Sequence, residues 1–385
     1  MKWYQGRSKN SRRPIKFFHA RAAVQPPDYF LGGLVLVILL FGLAMLSSAS
    51  SVASFRQFND TYFLWRHQLF LGVIPGLILF YFLSRFNYQH YRHYTTGFFI
   101  LILVLLSLVF IPGLSLSHNS ARSWIQIAGF SFQPSELAKL LLILGLAGWF
   151  SHRGRTLNAD FWNGLIPFTL ILGLVSLPIL FQPDLGTLMV IIVIAFTVYF
   201  VAGAKWQHLL SLGLVGLGIF GLAIAFVPYR AARLLTFLHP EIDPQGIGYQ
   251  INQAFLAIGS GGWLGLGFGQ SQQKFAYLPE VFGDSIFAII AEELGFIFSA
   301  FLIIVFLLLL WRGFKLAQQL DDDYGRYLTV GLIAWFGGQA FLNIGAIVGL
   351  LPLTGIPLPF VSYGGTALVS ALAGAGILLN ISRQV

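Results

Sequence analysis

Between Leu278 and Phe287 the chain reads LPEVFGDSIF, which sets an aspartate, Asp284, at the doorstep of a long apolar run. The run continues to Trp311 with only Glu292 and Glu293 as interruptions. An acid at the edge of hydrocarbon, preceded by a second acid at Glu280, is expensive to keep unless something uses it. Catalysis is one use; capping the helix that begins there is the other, because aspartate accepts well from the free backbone N–H groups of a first turn. The pattern leaves both open. Four cations, Arg122, Arg230, Arg233 and Lys274, stand in loops on the same side of the sequence's polarity. They are either solvated loop charges or the means of holding a phosphate or diphosphate.

Other polar residues stand where apolar ones are expected. Glu136 and Lys139 are three apart near the start of an apolar stretch, so they share a helix face. They form either a self-neutralising ion pair or the polar wall of a substrate cavity. Glu292 and Glu293 lie about two turns inside their span; adjacent residues are not expected to face one partner, so at least one should point into the bundle. In Gln182-Pro183-Asp184 the aspartate reads as a helix cap. Gln339 and Asn343, one turn apart, read as interhelical hydrogen-bonding groups. The glycine-rich GSGGWLGLGFG (259–269) has no Walker lysine after it, and reads as irregular backbone close to a substrate or a helix. PLTGIPLPFVSYGG (352–365) is a Pro/Gly-interrupted apolar segment, tolerated at membrane depth only under a cover of protein or beside a cavity.

The elements that must position these residues are membrane spans. Of 385 residues 57% are hydrophobic and 10% charged, against about 25% charged in a soluble domain. Windows of about 20 apolar residues fall near 30–49, 66–84, 94–112, 135–151, 161–180, 185–203, 206–227, 284–311, 326–350 and 362–382. The expected fold is therefore an all-α polytopic membrane protein of about ten transmembrane helices. The first apolar run, followed by SSASSVAS, has the look of a signal peptide. It is nevertheless long enough to span, and further spans follow, so it reads as an uncleaved first helix. With both termini cytoplasmic, the inner side collects the tail cations together with Arg85, Arg92, Arg153, Arg155, Lys205, Arg312, Lys315, Arg326 and Arg383. The outer side keeps only Arg56, Arg66 and the four loop cations, which is the asymmetry the positive-inside rule requires. Two long loops, 113–134 and the 228–283 connection between spans 7 and 8, then share the outer compartment with Asp284.

Residues 1–27 form a basic cytoplasmic tail (Lys2, Arg7, Lys9, Arg12, Arg13, Lys16, Arg21), suited to anionic lipid headgroups, and 28–385 a single membrane domain. Because the excess of +9 charges is concentrated on this tail and the inner loops, nucleic acid is not an expected partner. With no cysteine in the chain, disulfides and Cys-based metal or redox sites are excluded.

Six segments and the ten-span layout carry a resemblance; the segments are ARSWIQIAGFSFQPSELAK, QPDLGT, YRAARLLTFL, GYQINQAFLAIGSGG, LPEVFGDSIFAIIAEELGF and NIGAIVGLLPLTGIPLPFVSYGG. Together they resemble the SEDS family of bacterial cell-envelope proteins, which includes RodA, FtsW and SpoVE, over nearly everything after the tail. The resemblance implies a peptidoglycan glycosyltransferase of the bacterial cytoplasmic membrane that extends glycan strands on the outer face from lipid II. It makes Asp284, the aspartate of the LPExxxD pattern, the catalytic residue. Arg122 matches the RxW motif, and Glu136 and Lys139 match the QPSE-x-x-K helix. With Arg233, Lys274 and Glu280 they form the expected substrate-binding set. It also implies an assisting divalent cation (Mg or Mn) with unknown ligands, no organic cofactor, and a class B penicillin-binding protein as transpeptidase partner among other divisome or elongasome membrane proteins.

The chain departs from the pattern at three places. Phe282-Gly283 stands where many relatives have His-Thr or His-Asn, Ser285 where they have Phe, and His239-Pro240 where Asp-Pro is common. The implied chemistry is coherent: lipid II carries an α-linked diphosphate and the product is β-1,4, so the reaction inverts. A carboxylate that takes the proton of the attacking hydroxyl contributes about 10²–10⁴-fold, and cations or a metal ion stabilise the departing diphosphate. A lipid II flippase or transporter, and a non-catalytic scaffold for the transpeptidase, are the alternatives. The basic tail, the SAS-containing first span and YFLWRHQL lean towards FtsW, with cell division as the role, over RodA and elongation.

Overall fold

The computed structural model describes residues 25–118, 121–127, 130–226, 237–239, 246 and 248–384. The basic tail lies almost wholly outside the described residues. The helices are α1 (Tyr29–Ala49), α2 (Ser51–Phe58), α3 (Phe63–Gln68), α4 (Ile74–Arg85), α5 (Thr95–Leu108), α6 (Pro134–Asn158) and α7 (Ile166–Phe181). They continue with α8 (Leu185–Val201), α9 (Trp206–Phe226), α10 (Tyr249–Gly261), α11 (Ile286–Gln319), α12 (Asp323–Ile347) and α13 (Gly365–Ile381). The apolar windows read from the sequence fall on these helices, the second of them across α3, α4 and the π-helical turn Leu69–Val73 between them. Among the described residues, seven helical segments are long and apolar enough to cross a membrane, and α8 is a shorter apolar helix.

The starts of helices follow their capping residues. Asp28 accepts from the Leu31 N–H at 3.1 Å to begin α1, and Asp184 accepts from the Thr187 N–H at 3.0 Å to begin α8, as its sequence position predicts. Helices α12 and α13 occupy the centre: α12 packs on α6, α8 and α11, and α13 packs on α4. Their apolar faces supply much of the core, including Trp335, Phe336, Leu332, Leu372 and Leu378. Helices α1 and α10 pack against α11.

The expectation of an all-α chain needs one correction. The first long loop folds into a three-stranded antiparallel sheet, β1 (Ser115–His118), β2 (Ala121–Ile127) and β3 (Phe130–Phe132), in the order β1-β2-β3. Trp124 pairs with Leu116, and Gln126 with Ser131. Burial alternates along the strand, with Ser123 and Ile125 inside and Gln126 outside, the period of a strand, but so short a run inside a loop is hidden beside 20-residue spans.

A second correction concerns α11, expected as one unbroken span. Its helix breaks at Gly295 (φ 75°, ψ −171°). In a continuous helix the Glu292 and Glu293 carbonyls would accept from Phe296 and Ile297. Instead they accept from Leu266 and Gly267 at 2.9 and 3.0 Å, while the Phe296 and Ile297 N–H groups donate to Gly262 and Trp263 at 2.9 and 3.3 Å. The glycine-rich segment thus replaces one turn of helix hydrogen bonds, leaving no orphaned backbone in an apolar surround. It does so at contact distance: a Cβ on Gly265 (φ +79°) would lie 2.2 Å from the Glu293 carbonyl oxygen. Gly265→Ala therefore costs at least about 2 kcal/mol from backbone strain and overlap. Its thermal midpoint in detergent falls well below that of Gly259→Ala, at a helical glycine where nothing stands within 4 Å of the added carbon.

Candidate active site

Asp284 lies in the turn that precedes α11, and it is not the cap of that helix. Ser285 occupies the cap position and makes no side-chain capping bond. The carboxylate turns instead towards α10. The Gln250 amide Nε2 donates to its two oxygens at 3.3 and 3.4 Å, and the Ser285 hydroxyl lies 3.3 Å from Oδ1. The main chain is held from the other side, where the Asn343 amide donates to the Asp284 carbonyl and to the Ile356 carbonyl, each at 2.8 Å. Burial, and then the neighbouring Glu280 carboxylate, push the Asp284 carboxyl up to about 7 against the opposing effect of the Gln250 and Ser285 hydrogen bonds. An acid in that range is half ionised at neutral pH, which suits a proton acceptor.

Segments distant in sequence converge around this aspartate. The Pro/Gly-interrupted stretch after α12 is irregular backbone under protein cover, with Ile356, Leu358, Phe360 and Val361 all buried. Gln339 and Asn343 hang it from α12 by the Pro357 and Ile356 carbonyls, at 2.8 Å each. Its Gly355 passes so near that an added Cβ would sit 4.0 Å from Asp284 Oδ2. Thr354 beside it presses on Gly186 at the start of α8. Tyr363 donates its N–H to the Phe282 carbonyl at 2.8 Å and packs edge-on against the Phe282 ring. Tyr363 is also hydrogen-bonded through its hydroxyl to His67 on α3, at 2.8 Å.

The expected substrate-binding residues are distributed more widely. Glu280 is exposed on the same turn and strained (φ 51°), its carbonyl accepting from Gly283 and Ser285. Lys139 and Glu136 are 0% and 1% exposed and pair at 2.8 Å. Lys139 also donates to Gln339 Oε1 at 2.7 Å, which accepts from Trp335 as well. This network sits one α12 turn from Asn343. The cavity it borders, lined by Glu136, Trp335, Gln339, Pro357 and Phe360, has a volume of about 10 Å³. That is room for about one water and far too little for a diphosphate. The pair reaches the site through Gln339 and the segment that Gln339 carries, while Glu136 Oε2 is buried with no hydrogen-bond partner among the described residues.

Lys274 stands apart from the carboxylate. Its ammonium is buried, donating to Glu293 Oε1, Ser48 Oγ and the Gly269 carbonyl at 3.0, 3.1 and 2.6 Å. Those bonds use its three protons, so in this structure it has none to offer a diphosphate. Arg122 has its backbone in β2, but its side chain lies outside the described residues, as does all of Arg233.

Glu292 and Glu293 also depart from expectation, because both serve the same loop. Glu292 accepts from Ser271 and from the Gln272 N–H at 2.9 Å; Glu293 accepts from Lys274, Ser48 and the Gly269 N–H, the last at 3.0 Å. Adjacent residues manage this because the loop wraps the broken end of the helix. Sequence reasoning missed Gln250, Ser285 and Ser48 as functional groups. A polar residue opening GYQINQ, and a serine beside the key acid, were the signals available.

The chain matches the family described as cell cycle protein, FTSW_RODA_SPOVE, over residues 30–385. It is 42% identical to the stage V sporulation protein E of Bacillus subtilis (strain 168), over 93% of this chain and 97% of that one. It is 38% identical to a probable peptidoglycan glycosyltransferase FtsW of Geobacter sp. (strain M18), over 94% and 98%. Among solved structures, RodA of Thermus thermophilus superposes with a TM-score of 0.68 at 29% identity, covering 93% of this chain and 97% of that chain. A chain of a peptidoglycan synthase complex, studied for the coordination of polymerization and crosslinking, superposes at 0.77 with 31% identity, covering 93% and 98%. The chain belongs to the FtsW/RodA/SpoVE family, and is a helical, multi-pass membrane protein of the peptidoglycan glycosyltransferase class.

Proposed function

We propose that this protein polymerises lipid II into glycan strands on the outer face of the bacterial cytoplasmic membrane, by an inverting transfer in which Asp284 is the general base. The observation that carries this reading is the carboxylate itself. It is partly buried, raised to about 7, and accepts from Gln250 and Ser285, while Asn343 holds the Asp284 main-chain carbonyl. An incoming sugar hydroxyl gives its proton to this carboxylate as the oxygen attacks the anomeric carbon from the face opposite the diphosphate. Inversion then follows without a covalent sugar intermediate.

On this reading the chain has ten spans with both termini cytoplasmic and a long outer connection between spans 7 and 8, so that Asp284 stands at the outer face, where a class B penicillin-binding protein would meet the new strand. Among the described residues no three His, Asp or Glu side chains cluster as a ready metal cage. Mg²⁺, however, is commonly held by one or two carboxylates together with substrate phosphates. Glu280, exposed on the same turn, is the carboxylate that fits that mode, and the ion would supply neutralisation of the departing diphosphate.

The test is the pH dependence of polymerisation. A base must be ionised, so kcat/KM rises with pH through about 7 and levels off above it. A kcat/KM that stays flat as the pH falls through the carboxylate range would contradict the assignment.

A further inference from the structure

The pair preceding the aspartate, Phe282-Gly283, has no side-chain hydrogen-bond donor, so whatever orients the carboxylate must come from elsewhere. Two donors do. Gln250 on α10 reaches both Asp284 oxygens through Nε2, and the same Nε2 lies 3.0 Å from Ser285 Oγ. The Ser285 hydroxyl can accept from that amide and pass its own proton to Asp284 Oδ1. The three side chains close a triangle of Gln250 Nε2, Ser285 Oγ and the Asp284 carboxylate. Ser285 is fully buried and its N–H donates to the Glu280 carbonyl at 3.2 Å, so it has little freedom to turn away. The Asp284 main chain is already fixed by Asn343, which leaves the side-chain torsions as the freedom that Gln250 and Ser285 remove.

We propose that Gln250 and Ser285 are positioning residues that aim the Asp284 carboxylate at the acceptor hydroxyl, an inference that rests on Asp284 being the base. Neither residue is assigned a contact with substrate; each acts through the Asp284 carboxylate. Both act by favouring the ionised, oriented aspartate, since hydrogen bonds to a carboxylate stabilise its charged form.

The experiment measures kcat, KM and the pH profile of lipid II polymerisation by the full-length protein carrying Ser285→Ala, Ser285→Thr, Gln250→Ala or Asp284→Asn. Glu280 is the charged group bearing on Asp284. The facing elements contribute the uncharged Gln250, Asn343 and Gly355, so a displaced limb in these variants reports the missing hydrogen bond. Ser285→Ala and Gln250→Ala each lower kcat about tenfold with KM little changed, and both move the acid limb to higher pH. Ser285→Thr, which keeps a hydroxyl, recovers rate relative to Ser285→Ala. Gln250 is only half-buried, so its variant carries the test should the buried serine not tolerate change. Wild-type kcat and an unmoved limb in both alanine variants would overturn the positioning role while an inactive Asp284→Asn keeps the base. An active Asp284→Asn would overturn the base itself.

Discussion

Glu293→Ala lowers the stability of the detergent-solubilised protein by about 3–5 kcal/mol, the usual consequence of orphaning a buried charge. The reason lies with Lys274. Its ammonium is 5% exposed and pairs with a glutamate that is 0% exposed, leaving only Ser48 and the Gly269 carbonyl once the carboxylate is gone. Neither neutralises a cation away from water. The same substitution frees the Gly269 and Ser271 N–H groups that Glu293 accepts from, so the loop leading to Glu280 and Asp284 loosens as well. A double variant, Lys274→Met with Glu293→Leu, regains much of the loss, because a well-packed apolar pair of similar volume often replaces a buried ion pair at little cost. Thermal midpoints of wild type, both variants and Ser48→Ala in one detergent check this. A Glu293→Ala midpoint equal to the Ser48→Ala one would contradict the role given to the ion pair.

Asp284→Asn reduces turnover by about 10²–10⁴-fold, the range that general base catalysis supplies. Asparagine matches aspartate in shape and still accepts from Gln250, so folding and membrane insertion are expected to survive. What it cannot do is take up a proton at neutral pH. The loss therefore appears in kcat and kcat/KM together, the pattern of an interaction made only in the transition state. Steady-state rates on lipid II, with the amount of inserted protein matched, measure it.

How far the sequence could be read divides along a physical line. Apolar length located the helices, because hydrocarbon thickness imposes it, and Asp184 was legible as a cap because its rule is local. The break at Gly295 was not, since apolar composition continues through it and the missing hydrogen bonds are replaced by Gly262–Gly267 from another segment. That same wrap defeats the spacing argument for Glu292 and Glu293, which holds only for a helix whose side is contacted and not its end. Asp284 shows the limit most clearly. Position made it a cap or a catalyst; only the tertiary placement of Gln250 and Asn343, on α10 and α12, shows that its carboxylate turns away from the helix. Sequence position leaves Lys274 a loop cation, solvated or holding a phosphate, because its partners Ser48 and Glu293 lie 226 and 19 residues away along the chain.

The most direct measurement of the central claim uses full-length protein in liposomes with labelled lipid II, following glycan strands by gel and the sidedness of the label in parallel. Wild type makes long strands, Asp284→Asn makes none, and the label of unreacted lipid II keeps its leaflet in both. Strands of wild-type length from Asp284→Asn, or lipid II crossing the bilayer with no polymer formed, would contradict it.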